Sequence, residues 1–148
     1  MNNQSEYSYG ITPETELEIR IVSSAEFRDG MNYGLPRQGH PEGKVGIHVG
    51  GIIEAIDKEN WPNYREKLRL IALLHDIGKY QTRYSERGNL LSEPHASLSE
   101  RIARTFLQDE SLLNVIGTHS KYYSFYRKLK KNGKFDSDKF KETFGRIN

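Results

Sequence analysis

Leu68-Arg69-Leu70-Ile71-Ala72-Leu73-Leu74-His75-Asp76-Ile77-Gly78-Lys79 is the stretch that decides the fold class of this chain. It is too short to span a bilayer and lacks the Gly/Pro punctuation of paired strands, so it reads as a buried helix. Apolar residues cover nearly its whole circumference, which suits a helix at the centre of a domain. Its last turn is expected to carry His75 and Asp76, with Gly78 as the C-terminal stop. A carboxylate there is penalised twice, by desolvation and by the partial negative charge of the helix end. Something positive must sit against Asp76. A metal ion with His75 as co-ligand is the economical answer.

Composition narrows the rest. A chain of 148 residues is expected to form one domain, 1–148, with a real core. The net charge of +2 does not call for nucleic acid or an acidic membrane. The absence of cysteine rules out thiolate ligands, disulfides and a cysteine nucleophile. No apolar run is long enough to cross a membrane, and the polar start Met1-Asn2-Asn3-Gln4-Ser5-Glu6 is no signal peptide. The expectation is a soluble cytoplasmic protein.

On either side of the central stretch the pattern is helical. Residues 1–10 read as a flexible lead-in. Thr12-Pro13-Glu14 has the form of a helix start, although Leu17, Ile19 and Ile21 alternate as in a strand. A short helix over 24–29 and a Gly/Pro-rich ordered loop over 30–43 come next. Lys44 to about Lys58 is a helix with Val45, Val49, Ile52, Ile53 and Ile56 on its apolar side, and His48 shares that side. Trp61-Pro62-Asn63 turns into the central helix, and a polar loop runs from Tyr80 to Leu91 with Gly88-Asn89 as its turn. Ser92-Glu93-Pro94 opens a helix with the stripe His95, Leu98, Ile102 and Phe106, broken at 108–111. Leu112, Val115, Ile116, His119 and Tyr123 form the following stripe. Arg127 to Lys134 is a basic loop, and Asp136-Ser137-Asp138 caps a last helix bearing Phe140, Phe144 and Ile147. The fold class is all-α, a bundle of about five to seven helices.

One histidine on an apolar helix face is more often a hydrogen-bonded core residue than a ligand. Here four of the five, His48, His75, His95 and His119, lie on four successive helices and face a shared interior. Together with a buried Asp76, four such coincidences are the weaker proposition. Imidazole and carboxylate are ligands for Mn, Fe, Co, Ni or Zn, and ligation without cysteine leans away from a structural zinc site.

The pattern His48, His75-Asp76 and Gly78-Lys79 resembles the HD superfamily of metal-dependent phosphohydrolases. His48 and His75 stand 27 residues apart, an ordinary interval for it. The run His40-Pro41-Glu42-Gly43-Lys44-Val45-Gly46-Ile47-His48 is similar to the start of HD domains attached to bacterial tRNA nucleotidyltransferases, and closer to a group of stand-alone bacterial HD proteins. The likeness covers roughly Phe27 to Ile147. It implies an HD-domain bundle in which His48, His75 and Asp76 hold one divalent ion. Asp76 would bridge to a second ion held by His95 and His119, the metal being Mn, Fe, Mg, Ni, Co or Zn. It also implies a place for Lys79 near the phosphate or the metal-bound hydroxide, against the plainer reading of a cation at a helix C-terminus. Two departures stand out. The aspartate that closes the family's first site would be expected beyond Phe144, past Asn148, and Asp136 or Asp138 is better suited to capping. Ser120 stands where the stand-alone group commonly has Asp.

A divalent ion lowers the pKa of bound water and polarises a phosphoryl oxygen, so hydrolysis of a phosphomonoester or phosphodiester, expected to be a nucleotide, is the first function. Asp76 and Lys79 are the expected catalytic residues. Arg37, His40 and Lys121 are the expected substrate contacts, with Lys44 and Arg83 also flanking the ligand motifs. Tyr122, Tyr123, Phe125 and Tyr126 could stack on a base, although at helical spacing packing is the commoner role. The cluster 127–134 could meet nucleic acid, but a solvated loop is favoured. Two rival functions keep the fold: a di-iron oxygenase, separable by iron content and oxygen uptake, and a non-catalytic, metal-stabilised module binding a nucleotide or a protein.

Overall fold

The computed structural model of the chain describes residues 8–133, 138, 139 and 142, the side chains of 8, 122–127, 129 and 130 excepted. Among these residues there are six α-helices: α1 (Glu16–Val22), α2 (Ala25–Met31), α3 (Val45–Lys58), α4 (Arg65–Leu74), α5 (His95–Ala103) and α6 (Glu110–Asn132). No strand forms among them; Arg37 with His40 and Tyr84 with Leu90 make isolated bridges. No helix among them is long and apolar enough to cross a membrane.

The alternation of Leu17, Ile19 and Ile21 does not make a strand, because helical spacing buries Ile21 fully and leaves Ile19 exposed. The cap of α1 is Thr15 rather than Thr12: its hydroxyl accepts from the Glu18 N–H at 3.1 Å. Ser24 caps α2 in the same way through the Phe27 N–H, and Asp109 caps α6 through the N–H groups of Ser111 and Leu112. The lead-in is docked at its end: residues 8–10 form a 3₁₀ turn, and the Tyr9 ring lies where a side chain on Gly46 of α3 would stand. The basic segment 127–132 continues α6 as helix instead of forming a loop. Asp138 is helical and exposed. Asp136, Ser137, Phe140, Phe144 and Ile147, and the side chains of Tyr122, Tyr123, Phe125 and Tyr126, lie outside the described residues.

The core gathers Val45, Val49 and Ile53 of α3, Leu70, Leu73 and Leu74 of α4, Ile102 of α5 and Leu112, Leu113 and Ile116 of α6. Helix α4 sits between α3 and the α5–α6 pair, as its all-round apolar pattern requires. The one charge inside that pattern is Arg69, only 1 % exposed. Its Nε donates to Glu18 at 2.9 Å, and its two terminal nitrogens donate to Asp57 and to the Thr12 carbonyl at 2.8 Å each. Glu18 is as buried as Arg69, so this pair ties α1 to α3 and α4 across the core. Breaking such a pair from one side strands a charge in the interior at a cost of roughly 3–5 kcal/mol, whereas replacing both members by apolar residues costs far less. Arg69→Met should therefore lower unfolding free energy by about that amount in urea titration, and Arg69→Met/Glu18→Leu should recover most of it. A loss below about 1 kcal/mol for Arg69→Met would show the pair to be dispensable.

Candidate metal centre

Helix α4 ends at Leu74, one turn earlier than its apolar pattern suggests, and His75 to Gly78 form a tight turn. The Ile77 N–H reaches back to Leu74 O at 3.3 Å and the Lys79 N–H to Asp76 O at 3.1 Å, so the chain closes into 3₁₀-type bonds. Gly78 is not there for a left-handed stop, since its φ is −85°. It is needed for space. A Cβ at Gly78 would stand 2.5 Å from the Ser99 backbone nitrogen, and the Gly78 N–H donates to the Ser99 hydroxyl at 2.9 Å. On the opposite flank, a Cβ at Gly30 would stand 2.6 Å from the Ile77 carbonyl oxygen. The turn carrying Asp76 is thus gripped between α2 and α5.

That grip brings the expected residues together. Asp76 is 3 % exposed, and its two carboxylate oxygens face different partners. Oδ2 lies 3.3 Å from His75 Nε2, 3.8 Å from His48 Nε2 and 2.9 Å from Lys79 Nζ. Oδ1 lies 3.2 Å from His119 Nε2 and 3.4 Å from His95 Nε2. Among the described residues, two groups could hold a metal ion: His48, His75 and Asp76, and Asp76, His95 and His119.

Ring orientation tests whether these side chains suit a cation. The Nδ1–H of His75 donates to Ala72 O at 2.9 Å and that of His119 to Ile116 O at 2.7 Å. Each Nε2 then carries a lone pair whenever its ring is neutral. Those lone pairs point at carboxylate oxygens, and the Nε2 atoms of His95 and His119 stand 3.1 Å apart. A neutral His95 can donate its Nε2–H across that gap, but for His75 and His119, whose Nδ1–H groups are committed to backbone carbonyls, only positive charge relieves the clash with the carboxylate. Protons are a poor means of supplying it: the His95–His119 ring centroids are 5.1 Å apart, where two imidazoliums repel by roughly 3 kcal/mol. Divalent ions accept neutral imidazoles and the carboxylate together, and backbone bonds to the distal nitrogens are the usual support for histidine ligands.

The protonation pattern follows from the same contacts. Burial works against the Asp76 carboxylate, but the histidine hydrogen bonds, His119 first, outweigh it and hold its pKa far below the usual carboxylate range. Burial likewise disfavours a charged His75, yet its bond to Asp76 and that residue's charge raise its pKa above 6.5. His48 is pushed below 6.5 by burial and by the neighbouring His75.

Beside the His48 side of the centre opens a cleft of about 550 Å³. Its walls include Arg37, His40, Lys44 and Lys79, with Asp76 and His48 at its inner end. Lys121 and Arg83 do not line it; Lys121 is an exposed residue two positions beyond His119 on α6. Sequence reasoning missed Glu42, which lies 3.2 Å from His40 Nδ1, and Ser99, which positions the turn. The spacing His40-Pro-Glu42 offered a signal for the first. Nothing local marked the second.

The HD domain family model matches residues 45–138, and the chain belongs to the HD domain family. No curated protein and no solved structure matches the chain. The all-helical architecture and the His/Asp groups agree with that membership and with a metal-dependent function.

Because His95 opens α5 with no side-chain cap of its own, the Ser99–Gly78 bond one turn later sets its distance from Asp76. Ser99→Ala leaves a buried N–H unpaired at a cost of about 1–3 kcal/mol. It should lower stability by that amount and weaken metal binding at the His95/His119 group more than at the His48/His75 group, read by calorimetric titration with Mn. Unchanged stability and binding would contradict this role.

Proposed function

We propose that the chain is a metal-dependent phosphohydrolase acting on a phosphomonoester or phosphodiester of nucleotide size. The observation that carries this reading is a single buried carboxylate whose two oxygens each face a separate set of imidazoles. His48, His75 and Asp76 would hold one divalent ion, and Asp76, His95 and His119 the second, with Mn, Fe, Mg, Ni, Co and Zn all compatible with N/O ligation. Such ions supply a hydroxide near neutral pH and polarise a phosphoryl oxygen.

The chain's own residues do the rest. Asp76 is fixed by its turn and by five neighbouring cationic or imidazole groups, so it needs no rearrangement when substrate binds. Lys79 projects from the same turn into the cleft, where its ammonium can pair with a phosphoryl oxygen while staying next to Asp76. Arg37 and His40 face the cleft from the loop and are the substrate contacts; Lys121 is left out, since it does not line the cleft. A pocket of this volume suits a small molecule, within the usual range of roughly 300–1,000 Å³, better than a polymer. Substrates are accordingly small phosphorylated compounds, not nucleic acid or membrane.

The test is turnover of p-nitrophenyl phosphate, bis-p-nitrophenyl phosphate and a nucleotide panel, with each metal supplied in turn. Hydrolysis is expected with at least one metal, abolished in Asp76→Asn. Lys79→Ala should lose roughly a hundredfold in kcat while keeping its metal. No turnover of any compound with any metal would remove the reading.

A further inference from the structure

One loop, residues 32–44, supplies most of the cleft's lining, and its shape is closed by its own backbone. The Val45 N–H donates to Tyr33 O at 2.9 Å at the neck. Gly34, at φ 112°, lies directly against the Gly43 carbonyl, and a Cβ at Gly43 would stand 2.6 Å from the Pro36 nitrogen. No side chain fits at either position. Inside that neck, Arg37 and His40 exchange both backbone hydrogen bonds, at 3.1 and 2.9 Å, around Gln38-Gly39. Residues paired in this way put their side chains on the same face, and both line the cleft.

Of the basic side chains on this face, His40 is paired with Glu42, whereas Arg37 and Lys44 are uncommitted among the described residues. Arg65, Arg69, Arg101 and Arg104 are all ion-paired with carboxylates. Arg37 and Lys44 have no side-chain partner among the described residues, although both line the cleft. His40 is steadied by Glu42 at 3.2 Å. Neither Arg37 nor His40 bonds directly to any member of the Asp76 cluster, and Glu42, which lines the cleft beside His40, also interacts electrostatically with His48. Leu35, 81 % exposed, and the half-exposed Tyr33 also line the cleft, giving it an apolar surface.

We propose that Arg37 and His40 form a second anion subsite, so that the cleft takes a small organic phosphate carrying a second, separate phosphate group. One phosphate lies at the His/Asp cluster and the other between the Arg37 guanidinium and the His40 ring, with the organic body against Leu35 and Pro36. The planar guanidinium fork matches two phosphate oxygens at once. This inference rests on the phosphohydrolase reading for the placement of the first phosphate, but is tested by binding.

The experiment is calorimetric titration of the Mn-loaded protein with two matched pairs: adenosine 5′-monophosphate against adenosine 3′,5′-bisphosphate, and fructose 6-phosphate against fructose 1,6-bisphosphate. In at least one pair the second phosphate should tighten binding by roughly tenfold to a hundredfold. Arg37→Ala, at an exposed position with no side-chain partner among the described residues, should erase that gain, so that the bisphosphate binds no tighter than its monophosphate. Arg37→Lys should restore part of it. Equal affinities within both pairs, no binding of any ligand, or an equal loss for mono- and bisphosphate in Arg37→Ala would each overturn the subsite. Discrimination without cleavage of any P–O bond would keep the subsite and remove the phosphohydrolase reading. Cleavage without discrimination would do the reverse.

Discussion

One carboxylate, placed where a charge is least welcome, organises this molecule. Asp76 sits at the C-terminal end of α4, 3 % exposed, with the helix's own carbonyls behind it. Its burial is tolerable only because the Lys79 ammonium stands against it and four imidazoles converge on it, on whose nitrogens a proton or a metal ion can supply the remaining positive charge. Those groups come from three helices, α3, α5 and α6, and from the 75–79 turn itself, so balancing the charge also fixes how the helices pack. Core and site are therefore one structure: the glycines at 30 and 78 that let α2 and α5 close on the turn also set the ligand distances.

Two kinds of electrostatic solution coexist within a few residues. On the far side of α4, Arg69 is neutralised by protein carboxylates and serves stability. On the near side, Asp76 has an excess of lone pairs around it and invites a cation that the chain does not itself supply in full. A structural network satisfies its members.

The helices and the histidine set were legible in the sequence because both depend on local spacing. Val45, Val49 and Ile53 recur at helical intervals, and His48, His75, His95 and His119 share the stripes that such intervals place inward. What was hidden depends on contacts between distant segments. Arg69 bonds to Glu18, 51 residues away, and reads locally as one polar interruption in an apolar run. Gly78 reads as a helix stop, and only the approach of Ser99 reveals it as a spacer. The alternation at 17–21 pointed toward strand because Ile19, though apolar, is exposed. Segment 127–132 looked like a loop from its charge, yet Lys and Arg are good helix formers and α6 runs on through it.

The most direct measurement is an anomalous difference map from crystals of the Mn-loaded protein, collected at the metal edge. Two peaks are expected on either side of the Asp76 carboxylate, one within ligand distance of His48 and His75 and the other of His95 and His119. A map with no peak beside Asp76, from protein shown to contain the metal, would contradict the account.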